Sequence, residues 1–140
     1  MTQFVVDNSV VVKWYVPEAH GDHALRLTAD EHDLHAPELL VPEFSNAIRS
    51  RVRSGTLSWD EADLLGFQFR RQPVELHPHS SYMSLALDMA IKYNHPAYDC
   101  FYLALALDLR CRCVTADRRF YDAFFPAYEG ALLWVEDIPA

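Results

Sequence analysis

Four acidic residues stand where a divalent cation could be held for metal-assisted chemistry: Asp7, Glu43, Asp99 and Asp117. Asp7 follows Phe4-Val5-Val6, and Asp117 follows Cys113-Val114-Thr115-Ala116. Both apolar runs are short and rich in β-branched residues, as buried strands are. In open α/β sheets, ligands bind beyond the carboxyl ends of strands, so both acids belong to that edge. Asp99 opens a helical segment, where the helix dipole favours an anion. Glu43 sits in the first turn of another helical segment, with Asn46 three residues on and on the same face. Each acid alone reads as an ordinary turn or capping residue. Together they are harder to dismiss. Two like charges 4 Å apart repel by about 4 kcal/mol at an effective dielectric of 20. Four acids accumulate several such terms, comparable with a typical net stability of about 5–15 kcal/mol. A converged cluster persists only if acids protonate or a cation neutralises them. Oxygen donors without a nearby thiolate or imidazole suit Mg²⁺, with Mn²⁺ as a substitute.

The elements that must position these acids follow from periodicity and punctuation. Val10 to Val16 reads as a helix that Pro17 limits. Residues 22–32 read as a polar-faced helix, with Ala24, Leu25 and Leu27 inward. His35-Ala36 reads as a brief strand before Pro37. Pro42 suits the first turn of the helix that carries Glu43, Phe44, Ala47, Ile48 and Val52, and Gly55 stops it. Ser58-x-x-Glu61 is a capping box opening a helix to about Arg71. Val74-Glu75-Leu76 reads as a strand. Ser80 or Ser81 caps a helix running to Tyr93, with Asn94 as a left-handed stop. Cys100 to Leu109 is apolar on most faces and is expected to be central. Phe120 to Phe124 reads as a short helix and Leu132 to Val135 as an edge-like strand. Short apolar strands alternating with helices indicate an α/β domain with a parallel sheet. With no repeat, low-complexity tract or linker, residues 1–140 are expected to form one domain.

Bulk properties restrict the function classes. Apolar residues make up 51% of the chain, enough for a core, which excludes a disordered tail. The net charge is −8, whereas nucleic-acid-binding surfaces are usually basic. A bound cation reverses the local field of gathered acids, and the arginines are grouped: Arg49, Arg51 and Arg53; Arg70 and Arg71; Arg118 and Arg119. The three cysteines show no framework of pairs, as expected of a reduced cytosolic chain. Cys111-x-Cys113 lacks the second pair that a zinc site would want. The seven histidines form no zinc spacing, and His20-x-x-His23 reads as two surface residues. The N-terminus lacks a basic leader, and no apolar stretch approaches the ~18 residues of a membrane span. The expected location is the cytoplasm.

Four segments resemble the motifs of PIN domains, and of VapC-type toxins in particular. They are Val5-Val6-Asp7-Asn8-Ser9-Val10-Val11-Val12-Lys13-Trp14-Tyr15, Pro37 to Ala47 with Glu43 as its acid, Tyr98-Asp99-Cys100-Phe101-Tyr102-Leu103-Ala104-Leu105-Ala106, and Val114-Thr115-Ala116-Asp117-Arg118-Arg119-Phe120. They span nearly the whole chain in the family's order and spacing. The resemblance implies a three-layer sandwich with a five-stranded parallel sheet flanked by helices. It also implies Mg²⁺-dependent endoribonuclease activity, homodimerisation, and a cognate VapB-type antitoxin that covers or enters the site. Carried over residue by residue, Asp7, Glu43, Asp99 and Asp117 are the metal-site acids. Ser9, Asn46 and Thr115 match polar supporting positions. Asn8 departs from the pattern, which usually has a small apolar residue there.

Roles follow with different degrees of definition. Asp7 and Asp117 are expected as direct ligands, then Asp99. For Glu43, direct ligation, ligation through water and positioning of the nucleophile stay open, as does the choice between one ion and two. Asp122 reads either as an assisting acid or, more plainly, as a solvated helix residue. At least one of Arg118 and Arg119 is expected on RNA phosphate. Arg49, Arg51 and Arg53 read equally as an RNA contact and as a solvated helix end. Trp14, Tyr98, Phe101 and Tyr102 read as core or dimer contacts rather than base-stacking platforms. Three other protein classes could place acids at such an edge. A receiver-like phosphoacceptor would want an acid pair after the first strand and a lysine ending the last. A haloacid-dehalogenase-like phosphatase would want Asp-x-Asp where Asp7-x-Ser9 stands. A catalytically silent PIN-fold binding module would not need all four acids.

Overall fold

A computed structural model describes residues 2–140. Its five strands are β1 (Thr2–Val6), β2 (His32–Pro37), β3 (Val74–His77), β4 (Arg112–Thr115) and β5 (Leu132–Trp134). They form one sheet in the order β3-β2-β1-β4-β5, and every pairing is parallel. Helices α1 (Asn8–Val11), α2 (Gly21–Leu25), α3 (Leu40–Arg53), α4 (Trp59–Arg71), α5 (Met83–Lys92), α6 (Ala97–Leu109) and α7 (Arg118–Phe124) flank it. This is the parallel α/β arrangement that the alternation of strands and helices indicates, and the three-layer sandwich that the resemblance implies.

The order of the strands locates the functional edge. The chain builds outward from β1 through β2 to β3, then crosses to the other side of β1 for β4 and β5. The winding direction therefore reverses between β1 and β4. At such a reversal the flanking connections diverge, and a crevice opens beyond the strand ends. Asp7 is the residue after β1, and Asp117 lies two residues after β4.

Burial explains the central elements. Cys100, Tyr102, Leu103, Ala104, Leu105 and Ala106 of α6 are all buried. A helix that is apolar around most of its circumference must be covered on most sides. Here β1, β2, β4 and α5 supply that cover. By contrast, α5 leaves Met83, Leu87 and Ile91 exposed. The backbone reverses where residues tolerate left-handed conformations: Gly55 (φ 82°) after α3 and Asn94 (φ 49°) after α5. Arg110 (φ 55°) does the same after α6, with no glycine or asparagine to signal it.

Several expected elements differ in the structure. The helix expected over Val10 to Val16 is Asn8–Val11 and continues as a 3₁₀ turn over Val12–Trp14. The helix expected over 22–32 ends at Leu25, continues as a 3₁₀ turn over Arg26–Thr28, and gives way to β2 at His32. The brief strand at His35-Ala36 is longer because β1 pairs with it from Thr2↔His32 to Val5↔His35. Ladder bonds to a central strand override local helical preference. Neither Ser80 nor Ser81 caps α5 through its side chain: both lie in a 3₁₀ turn, Ser80–Tyr82, and the helix starts at Met83. The capping box at Ser58 and Glu61 is present as expected, with both reciprocal bonds made. Among the described residues, no helix is long and apolar enough to cross a membrane.

Leu103→Ala removes a fully buried side chain facing this core and is expected to lower stability by about 2–5 kcal/mol. Leu64→Ala, at a half-exposed position, is expected to change it by about 0.5 kcal/mol or less. Urea unfolding of both variants checks the difference; similar losses would contradict the assignment of the core.

Candidate active site

The first two strand ends are tied together by hydroxyl groups. Asp7 N–H donates to Val114 O at 3.3 Å, extending the β1–β4 ladder by one residue. Asp7 is also the N-cap of α1, its Oδ1 accepting from Val10 N at 3.3 Å. Ser9 Oγ donates to the same oxygen at 2.5 Å. Ser9 Oγ in turn accepts from Ala116 N at 2.9 Å and lies 3.4 Å from Thr115 Oγ1. Thr115 Oγ1 accepts from Asp117 N at 3.0 Å. One chain of hydrogen bonds thus runs from the end of β1 to the start of α7. Asp117 caps α7, its Oδ1 accepting from Arg119 N at 3.0 Å and Phe120 N at 3.4 Å. Capping and site roles do not exclude each other here, because a carboxylate has more acceptor capacity than one cap consumes.

The other two acids come from helices. Glu43 lies in the first turns of α3, and Tyr102 Oη donates to its Oε1 at 2.6 Å. Asn8 Nδ2 donates to Glu43 O at 3.4 Å, so the departure at Asn8 ties α1 to α3. Asp99 is in the first turn of α6, where His95 Nε2 donates to its Oδ2 at 2.7 Å. Asp7, Glu43, Asp99 and Asp117, with Asn8, Ser9 and Tyr102, line a single cavity of about 190 Å³.

Burial dominates the electrostatics. Asp7 is 3% exposed, and desolvation pushes its pKa up to about 7 against the hydrogen bonds from Ser9 and Thr115, with the charge of Asp99 adding to the rise. Desolvation also raises Glu43, opposed by the Tyr102 hydrogen bond and assisted by Asp99. Asp99 rises for the same first reason; His95 opposes and Asp117 assists. The Tyr102 phenol is driven far up by burial and by Glu43, so it stays a donor. Among the described residues, no Lys or Arg pairs with any of the four acids.

These observations test the fit of a cation. The donors are oxygens, desolvated, mutually repelling and without a basic partner apart from His95. That chemistry fits a hard divalent ion. Among the described residues, no three of these acids bring ligand atoms within 4.8 Å of one another. Like charges favour such a spread, and Mg²⁺ usually keeps several waters, so it does not need every carboxylate in direct contact.

The remaining candidates separate clearly. Ser9 and Thr115 belong to the hydrogen-bond chain. Asn46 is exposed and does not line the cavity. Arg118 is engaged: its guanidinium lies 3.9 Å from the centre of the Trp134 ring and 3.7 Å from Asp122 Oδ1. Arg119 is exposed and makes no ion pair among the described residues. His20 and His23 stack edge to face at 6.1 Å and gather no third metal-ligating group among the described residues. Two site residues were not expected from sequence. Tyr102 read as a core or dimer aromatic, although it stands three residues after Asp99 on the same helix face. His95 stands four residues before Asp99, but Pro96 between them obscured the helical spacing.

With this geometry established, comparison with known proteins places the chain. The PIN domain family model matches residues 4–125. The chain belongs to the PIN domain family. It is 28% identical over 124 residues to Ribonuclease VapC3 of Pyrobaculum aerophilum, covering 87% of this chain and 95% of that protein. Its fold is similar to the crystal structure of PAE2754 from Pyrobaculum aerophilum, with a TM-score of 0.70 and 21% identity over 96% of this chain and 92% of that one. It is also similar to a chain of a toxin–antitoxin complex from Klebsiella pneumoniae, with a TM-score of 0.61 and 10% identity over 95% of this chain and 96% of that one.

The raised acids make a signed prediction. The folded state holds the Asp7 proton more tightly than the unfolded chain does, so metal-free protein loses stability as pH rises from about 4 to about 7. The loss from Asp7 alone is expected to reach roughly 4 kcal/mol. Asp7→Asn should flatten that dependence in chelator-treated protein, measured by urea unfolding between pH 5 and 8. An equally steep profile in the variant would contradict it.

Proposed function

We propose that this chain is a metal-dependent endoribonuclease toxin of a toxin–antitoxin pair, working as one PIN domain over residues 1–140. The observation that carries the reading is the cavity at the β1/β4 reversal, lined by four carboxylates that no Lys or Arg neutralises among the described residues. The name of the curated relative, a ribonuclease, supports the choice of reaction.

Asp7, Asp99 and Asp117 would hold Mg²⁺, with Mn²⁺ able to substitute, and Glu43 would complete the site directly or through water. A bound Mg²⁺ supplies Lewis-acid polarisation of a phosphoryl oxygen and lowers the pKa of an attacking water. The protein's own contribution is orientation. Ser9 aims the Asp7 carboxylate, Tyr102 aims Glu43, and His95 steadies Asp99. Thr115 holds the backbone that presents Asp117. Arg119 rather than Arg118 is the cation free to meet an RNA phosphate, because Arg118 is held by Trp134 and Asp122.

The partners follow from the same reading. A VapB-type antitoxin is supported by the toxin–antitoxin complex among the structural relatives. A homodimer is supported by the apolar residues that α5 leaves in solvent. The alternative is a catalytically silent PIN module that binds without cleaving; the intact set of acids disfavours it.

Purified antitoxin-free protein, incubated with total cellular RNA and Mg²⁺ or Mn²⁺, is expected to give discrete cuts with 5′-phosphate and 3′-hydroxyl ends. End mapping by sequencing should show them lost with chelator and in Asp99→Asn. Ends carrying 2′,3′-cyclic phosphate would overturn the hydrolytic reading, since they report attack by the RNA's own 2′-hydroxyl. Metal binding without cuts would favour the silent module. Arg119→Ala is expected to weaken RNA binding and reduce the slope of log affinity against log salt by about 0.7–0.9. Arg118→Ala should change that slope less, and the reverse order would contradict the assignment.

A further inference from the structure

The histidines are scattered in sequence, yet the sheet brings two of them together. In the β2–β3 pairing, His35 stands opposite Glu75 and Pro37 opposite His77. Side chains alternate along a strand, so His35, Glu75 and His77 share one face. Their polar atoms form a tight triangle. His35 Nδ1 lies 2.9 Å from His77 Nε2 and 3.2 Å from Glu75 Oε2, and His77 Nε2 lies 3.0 Å from the same oxygen.

Hydrogen bonds cannot satisfy all three edges of that triangle. An ionised carboxylate only accepts, and a neutral imidazole carries one N–H. If both nitrogens donate to Glu75, two N–H groups face each other at 2.9 Å. If one nitrogen accepts from the other, its lone pair also faces the carboxylate. Some edge always sets like against like. A cation accepting all three lone pairs removes the conflict. Tetrahedral Zn²⁺ with bonds of about 2.0–2.1 Å separates its donor atoms by about 3.3 Å, a few tenths of an ångström wider than the triangle observed.

We propose that His35, Glu75 and His77 form a second cation site, selective for a borderline transition metal of the Zn²⁺ class. Two imidazoles and one carboxylate suit Zn²⁺, Co²⁺, Ni²⁺ or Cu²⁺ over Mg²⁺, whereas the four-acid cavity offers oxygen alone. The site is reachable: the His35 side chain is 12% exposed and that of His77 22%, while Glu75 is 66% exposed and can close over an entering ion. Three protein donors leave a fourth position for water. An ion here would clamp β3, a four-residue edge strand, onto β2. None of this depends on the nuclease reading.

The test is a titration of Zn²⁺ alone into chelator-treated full-length protein, in competition with a colorimetric zinc indicator. Co²⁺ serves as a spectroscopic probe of tetrahedral ligation. The expected result is one equivalent bound in the wild type, at least tenfold weaker binding in His77→Ala and Glu75→Ala, and undiminished binding in Asp99→Asn. Zn²⁺ should raise Tm in the wild type and not in the first two variants. Glu75→Ala changes an exposed side chain, so it decides the matter if His77→Ala does not fold. Absence of wild-type binding, or binding undiminished in both site variants, would overturn the proposal. Loss in Asp99→Asn alone would place the ion with the four acids and overturn it equally.

Discussion

The structure turns on holding four acids around one poorly solvated cavity. Asp7, Glu43 and Asp99 are all raised first by desolvation; the charge of Asp99 adds to the rise of Asp7 and Glu43, and that of Asp117 to the rise of Asp99. Left to itself, such an arrangement would relax by moving the acids apart or by exposing them. It is prevented here because each acid hangs from a different rigid element. Asp7 follows a central strand, Asp117 caps α7, and Glu43 and Asp99 occupy first turns of two long helices. The unfavourable local term is offset by a core that includes the buried middle of α6, Tyr102 to Ala106.

Neutral donors do most of the aiming. Ser9, Tyr102, Asn8 and backbone N–H groups contact the acids or the segments carrying them, while lysine and arginine stay away among the described residues. A basic residue in the cavity would relieve the repulsion, but it would also fill the place of a cation. A hydroxyl fixes direction and leaves the negative charge in place. This explains how the same aspartates can cap helices and still present charge to the cavity. The net charge of −8 is then compatible with a phosphate-directed site, because the relevant field is that of acids plus cation.

The parallel sheet can also create sites that have no sequence spacing at all. His35 and His77 are 42 residues apart and meet only because β2 and β3 pair in one particular register. A slip of one residue would turn either strand's side chains to the opposite face. The zinc spacing rules, which assume ligands close together in turns and helices, are blind to such a meeting.

Much was therefore visible in the chain itself. The β-branched runs before Asp7 and Asp117, the Ser58 capping box and the stops at Gly55 and Asn94 are local signals, and local physics suffices to read them. The order of the four acid-bearing motifs pointed to the family that the comparisons identify. Other features depended on distant partners. The extent of β2 was set by its pairing with β1, which overrode a helical reading of the preceding residues. The engagement of Arg118 by Trp134, leaving Arg119 free, required β5 to lie beside α7. The roles of Tyr102 and His95 needed the packing of α6 against its surroundings. Sequence alone determined which residue types stood at element ends, because capping, turning and strand formation are short-range effects. Tertiary structure decided which of them share a cavity, because desolvation and charge repulsion depend on distances that only the folded sheet establishes.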